Sequence, residues 1–273
     1  GSTGTLTAVT NLVSNTGVVA SDVSGVGSVR RYVAGCEYGE DKGIFGFGQP
    51  ASGYTAVTNL VSNAGVVASD TSGVGTARGY LPACSYGEDK GIFAFGYTGS
   101  YVSMSNLVSN AGVVATDVTG VGTARGNLGG CEYGGDKGIF GFGNNGGETA
   151  ATNLVSNVGV ISTDVTGVGT AIGGKSACRY GSDKGIFSFG TAAVVATNLV
   201  SNVGVVATDV TQVGTARWAS GATQYGGDKG IFGFGETSSP VSMTNLLSNA
   251  GVIATDTTGV GTARYGVGAC SFN

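Results

Sequence analysis

A block of about 47 residues is written almost six times along this chain. Its fixed words are T-N-L-V-S-N, then G-V-V-A or G-V-I-A, then G-V-G-T-A-R, then Y-G-x-D-K-G-I-F-x-F-G. The asparagine of the first word recurs at Asn11, Asn59, Asn106, Asn153, Asn198 and Asn245. The aspartate of the last recurs at Asp41, Asp89, Asp136, Asp183 and Asp228, and then not again. A unit of this length cannot bury its own apolar face, so copies must stack on one another, and the period constrains the architecture before any single residue does.

One copy shows what the unit is made of. Ala83-Cys84-Ser85-Tyr86 alternates small and large side chains, as a half-buried strand does. Gly87 to Gly91 is a turn, with two glycines bracketing charged residues. Ile92-Phe93-Ala94-Phe95 is the next strand. Residues 102–109 form a third, Asn110-Ala111-Gly112 a three-residue connection closed by glycine, and Val113 to Thr116 the return strand. Asp117 and Gly120 stand first and fourth in a further turn. Helical periodicity is absent.

Four short antiparallel strands per repeat, repeated about six times, predict an all-β fold: a six-bladed β-propeller forming a single domain over 1–273. A linear β-solenoid is the alternative, but its coils are usually nearer 20–30 residues. Six repeats of about 47 would need about 282 residues, nine more than the 273 present. Gly1 aligns with Gln49 and the last residue with Gly87, which places the shortfall at one copy of E-D-K-G-I-F-A-F-G. The expectation is a closing blade shared by the two ends of the chain and one strand short. That blade is three-stranded, or another segment or chain supplies the fourth strand, because an open edge invites association.

Composition narrows the function classes. Charged residues are 11% of the chain, with 53 glycines and 3 prolines, which suits short strands and tight turns. Disorder would show few β-branched residues and more charge. Net charge is −4 and the basic residues are spread along the chain, so no nucleic-acid footprint is visible. No apolar run is long enough to suggest membrane insertion. Gly1-Ser2-Thr3-Gly4 is neither a signal peptide nor an initiator methionine, so the chain reads as processed, trimmed or part of something longer.

Most charges are copied from unit to unit, which favours structural roles. All eleven aspartates occupy two repeat positions: the Asp117 type reads as a turn cap, and the Asp-Lys pairs and repeat arginines as ion pairs between blades. Arg31 and Arg179 are extra, and Ile172 replaces one repeat arginine. Cys36, Cys84, Cys131, Cys178 and Cys270 share one position, held by Thr223 in the remaining copy. They read as small buried side chains under a strand. Histidine is absent, so no Ser-His-Asp or Cys-His set exists, and no cofactor or metal site is expected. The D-V-T-G-V-G words lack the alternating oxygen ligands of a calcium loop. No carboxylate pair is singled out for hydrolysis, so the chain is expected not to be an enzyme.

The copies disagree at two places. One is the stretch after the repeat arginine, which carries Tyr32, Tyr80, Trp218 and Tyr265. The other is the set of loops after F-G, at 49–54, 97–101, 144–148, 191–194 and 236–240. Neutral drift on exposed positions explains such variation. The sharper reading is a binding face built on the four aromatic residues, since such rings stack on sugar faces and anchor interfaces.

The run Y-G-[EGS]-D-K-G-I-F-[GAS]-F-G followed by T-N-L-V-S-N-x-G-V-[VI] resembles kelch-like tandem repeats of bacteriophage tail-fibre and other virion surface proteins, over essentially the whole chain. It does so without the double glycine and separated Tyr and Trp of kelch repeats proper. The resemblance implies a propeller displayed on a virion surface or outside a cell. It would bind a receptor or surface glycan, or serve as a structural or decoration protein among other virion proteins.

Overall fold

The computed structural model describes residues 1–191 and 195–272. Among them there is no helix, and 16 strands form small antiparallel sheets. The first sheet holds β1 (Ala34–Tyr38), β2 (Lys42–Gly46) and β3 (Thr58–Val61). The second holds β4 (Ala83–Tyr86), β5 (Lys90–Ala94) and β6 (Ser105–Val108); the third β7 (Gly129–Tyr133), β8 (Lys137–Gly141) and β9 (Thr152–Val155). The fourth adds β13 (Val210–Thr211) to β10 (Ser176–Tyr180), β11 (Lys184–Ser188) and β12 (Ala196–Val200). The fifth holds β14 (Gly221–Tyr225), β15 (Lys229–Gly233) and β16 (Thr244–Leu247).

The G-I-F word makes the middle strand of each sheet. Its isoleucine faces a cysteine, or Thr223 in the fifth sheet, on one neighbour and a leucine on the other, as Ile92 faces Cys84 and Leu107. That isoleucine is fully buried in four of the five sheets and almost so in the fifth. The glycine before it is required by close approach. A Cβ on Gly138 would lie 2.5 Å from the Cys84 sulfur of the preceding unit. The cysteines thus serve as small wedges between sheets.

The fourth strand of the repeat is weaker than its sequence suggests. In four sheets it is reduced to two bridges, such as Thr58–Thr71 and Val61–Val67 in the first; only the fourth sheet has the short strand β13. It buries one face only: Val114, Ile161 and Ile253 are buried, while Val66, Val113, Val160, Val205 and Val252 are all at least 60% exposed. One-sided burial offsets less of the entropy of straightening this segment.

A sixth set of segments draws on both ends of the chain. Residues 10–13 and 19–23 repeat the outer bridging pattern, with Thr10 opposite Val23 and Val13 opposite Val19. Residues 267–272 occupy the place of an inner strand but belong to no ladder among the described residues. Ser2 bridges both Tyr265 and Leu6, as Tyr97 bridges Gly79 and Tyr101. Ser2, rather than Gly1, therefore stands at the Gln49 position. The alignment moves by one residue, and the pattern lacks the eight residues equivalent to Glu88 through Phe95, not nine.

The units are joined by a buried polar relay. At five of the six junctions an arginine of one unit reaches an asparagine and an aspartate of the next. Arg78 donates to Asn106 Oδ1 at 2.6 Å and to the Phe95 carbonyl at 2.9 Å, and its guanidinium is fully buried. Asn106 in turn donates to Asp117, which also accepts from the Thr76 backbone amide and hydroxyl. Asp117 therefore binds the preceding unit instead of capping its own turn. The same relay joins Arg264 to Asn11, and Thr262 to Asp22, linking the last unit to the first. The Asp-Lys pairs also differ from expectation: Asp136 and Lys137 are adjacent partners on one turn. The link between units there is backbone, from Gly87 N to the Asp136 carbonyl.

In the fourth unit, where Ile172 stands in the arginine position, Lys175 reaches in from three residues along. Its Nζ donates to Asn198 Oδ1 at 2.6 Å and lies 4.1 Å from the Phe142 ring centre. Burial pushes its pKa down to about 8, with Asp209 opposing.

Candidate functional site

The segment after each repeat cation turns sharply inward, and the turn needs a left-handed residue. Tyr32, Tyr80, Asn127 and Ala219 hold φ between 52° and 57°, and Gly174 and Gly266 take the equivalent places. For a non-glycine residue this conformation costs on the order of 1 kcal/mol. Hydrogen bonds between units hold it: Tyr32 N donates to Gly266 O, Asn127 N to Tyr80 O, Gly174 N to Asn127 O and Gly266 N to Ala219 O, all at 2.8–2.9 Å. A tyrosine at this position is therefore fixed by its backbone before its ring touches anything.

The four aromatic residues singled out in the sequence come together here. Tyr32 stacks on Tyr80 with ring centres 4.0 Å apart. Trp218 lies 6.3 Å from Tyr32 and 6.1 Å from Tyr265, and Tyr265 lies 6.0 Å from Tyr32. Arg31 binds the group together: its guanidinium lies 5.2 Å from the Tyr32 ring centre and 5.7 Å from that of Tyr265. It also donates to the Tyr265 hydroxyl at 2.5 Å and to Gln49 Oε1 at 3.0 Å. All four rings are half-buried. Burial, reinforced by Tyr80, pushes the Tyr32 phenol up, so it stays a neutral donor.

The variable loops widen this surface. Tyr97 packs edge-on against Tyr80, Tyr54 and Tyr101, the last at 5.1 Å, and Tyr101 donates to Asn144 Oδ1 at 2.8 Å. Beside Trp218 stand Gly173 and Gly174, and a Cβ on Gly174 would lie 3.4 Å from that of Trp218. Glu148 accepts from Gly173 N at 3.1 Å and from the Thr191 hydroxyl. The remainder of the fourth loop, 192–194, lies outside the described residues. Aromatic rings next to a carboxylate can take the apolar face of a pyranose while bonding its hydroxyls.

A second cluster was missed by the sequence reading. One strand or segment from each of the six units lines a central cavity of about 50 Å³. The side chains meeting there are Glu37, Ser85, Glu132, Arg179, Gln224 and Ser271, each directly after the cysteine or threonine position. Arg179 donates to Glu132 at 3.0 Å and to Gln224 Oε1 at 2.7 Å, and Gln224 donates to Glu37 at 2.8 Å. Burial raises both carboxyls, with Arg179 opposing; Glu132 is pushed up to about 7. The sequence shows only that this position holds four residue types in six copies and that Arg179 is an extra arginine; nothing local says that these side chains meet.

Set beside known proteins, the chain matches no family model and no curated sequence.

Proposed function

We propose that the chain is a single-domain, six-bladed β-propeller that binds, without catalysis, a saccharide on its aromatic face. In this reading it works as a virion-surface or extracellular module, and the ligand is a receptor or surface glycan. The observation that carries it is convergence. Tyr32, Tyr80, Trp218 and Tyr265 come from four different units and stand together, with Gly174 beside Trp218 and Glu148 bonded to Gly173. The test is glycan-array binding of the parent and of a variant carrying Trp218→Ala and Tyr265→Ala. Binding to a defined set of glycans, lost in the variant at unchanged melting temperature, supports the reading. Absence of binding across a broad array would sink it.

A structural or decoration role among other virion proteins is favoured by one observation: the rings already stack on one another and on Arg31. Burial of the 49–54 and 97–101 loops against another subunit in an assembled particle would support that role instead.

A further inference from the structure

Nearly every cation of this chain faces an acid, and the exception stands on the aromatic face. The five relay arginines each lie within 3.9 Å of an aspartate, and Arg179 lies 3.0 Å from Glu132. Five of the six lysines pair with the aspartate before them, and Lys175 is buried inside the relay. Arg31 is the one arginine with no carboxylate partner among the described residues. Its place in the repeat is also unlike the places of the other charges. Trp218 and Tyr265 hold it in two units, and Gly79, Gly126 and Gly173 in three. A charge that occurs once at its repeat position is not one of the links copied from unit to unit.

The guanidinium of Arg31 is fixed by its own protein. The backbone pairs with Gln49 in both directions, Arg31 N to Gln49 O and Gln49 N to Arg31 O. Nε donates to Gln49 Oε1 and Nη1 to the Tyr265 hydroxyl, while the Tyr32 and Tyr265 rings lie close by. A free arginine loses roughly 2 kcal/mol of rotamer freedom when a ligand immobilises it, and here folding has already removed much of that freedom. An arginine has five N–H donors and no acceptor. Arg31 uses two of them, which leaves both of Nη2 and one of Nη1 without an acceptor among the described residues. The residue is half-exposed, as are the four rings, so a ligand resting on the rings comes within its reach.

Charge decides what such a ligand is. The chain carries a net charge of −4, and the loops of this face add Glu148 and Glu236. The general field therefore disfavours anions, and an anion that binds here has to be recognised locally. A planar guanidinium with donors to spare matches the two oxygens of a carboxylate, in charge-assisted hydrogen bonds stronger than neutral ones. The rings beside it supply the apolar contact that a sugar ring needs.

We propose that the ligand of the aromatic face is an acidic saccharide, whose carboxylate, as in a uronic or a sialic acid, is held by Arg31 while its ring rests on the neighbouring aromatic side chains. The inference rests on the aromatic face being a saccharide site. It adds that Arg31 sets the choice between acidic and neutral sugars, and that Gln49 and Tyr265 position it.

The test is binding of the full chain to immobilised glycans in matched pairs. Glucuronic acid is paired with glucose, galacturonic acid with galactose, and a sialylated galactose with its asialo parent. Each acid is also presented as its methyl ester, and a galactose sulfate ester serves as a second anion. We expect at least one acid to bind roughly tenfold more tightly than its neutral partner, and esterification to remove the preference. Which acid it is separates a uronic from a sialic source. In Arg31→Gln the ratio of acid to neutral binding should fall to near unity, and Arg31→Lys, which keeps the charge without the fork, should restore part of it. A residue that only held the rings together would weaken both partners alike and leave the ratio unmoved. The ester comparison changes nothing in the protein, so it decides the matter even where Arg31→Gln lowers the melting temperature. Equal binding of acid and neutral partners by the parent overturns the inference and leaves the aromatic-face reading standing. So does a sulfate ester bound as tightly as the carboxylates, or a ratio unchanged in folded Arg31→Gln. Failure to bind any of these glycans, acidic or neutral, sinks both.

Discussion

Arg125 shows how a charge can hold this protein together. Its guanidinium is fully buried, donates to Asn153 Oδ1 and the Phe142 carbonyl, and lies 4.6 Å from the Phe95 ring centre. Removing one partner of such a set leaves desolvated acceptors without a donor. Arg125→Met is expected to cost about 3–5 kcal/mol in denaturant unfolding. Lys137→Met, on an exposed turn pair, should cost less than about 1 kcal/mol. Equal losses at the two sites would contradict the relay as the link between units. Lys175 extends the argument, since it performs the arginine's task from a different position. Lys175→Met should destabilise by about 2–4 kcal/mol, by leaving Asn198 Oδ1 buried without its donor. Adding Ile172→Arg should recover part of that loss.

At the scale of the strand, the contact that sets the spacing is sulfur on glycine. A Cβ on Gly138 meets the Cys84 sulfur at 2.5 Å and the Ser85 carbonyl at 3.3 Å, and neither neighbour is the flexible end of a long side chain. Gly138→Ala is therefore expected to lower stability by about 1–3 kcal/mol. Cys84→Ala removes the sulfur and should restore most of it, so the two changes together should be less damaging than their sum. Simple additivity in a double-mutant cycle would show that the wedge is not the cause. The sequence showed the middle strands, the glycine-closed turns and the common position of the cysteines, because each rests on local pattern. It overstated the fourth strand, which buries Val114 on one face but leaves Val113 exposed on the other and pairs only through isolated bridges in four of the five sheets.

For the molecule as a whole, the central cluster makes stability depend on pH. Glu132 is pushed up to about 7, chiefly by burial, against an ordinary value of 4.5. The folded state thus keeps a proton that the unfolded chain releases between those values, and stability falls as pH rises through that window. A shift of this size is worth a few kcal/mol. Glu132→Gln keeps an acceptor for Arg179 and removes the titration. The melting temperature of the parent should decline from pH 5 to 7.5 more steeply than that of the variant, and parallel curves would refute the assignment. This cluster was not legible beforehand, because six residues that share only a repeat position meet through the arrangement of the units. The aromatic set was legible in identity but not in geometry. The copies disagreed at Tyr32 and Trp218, yet nothing local says that their rings end 6.3 Å apart.

The sequence by itself determined the unit. Period-two alternation, turn glycines and the invariant G-I-F word act within a few residues, and short-range sterics and burial leave them little choice. Tertiary structure decided what happens between units. It turned Asp117 from a turn cap into a partner of Thr76, let Lys175 stand in for an absent arginine, and gathered six variable residues into one central cavity. It also brought residues 10–13 beside residues 267–272, on either side of one groove. The physical reason is the same throughout: repeat identity fixes what each side chain can do, and stacking decides which neighbour it does it to.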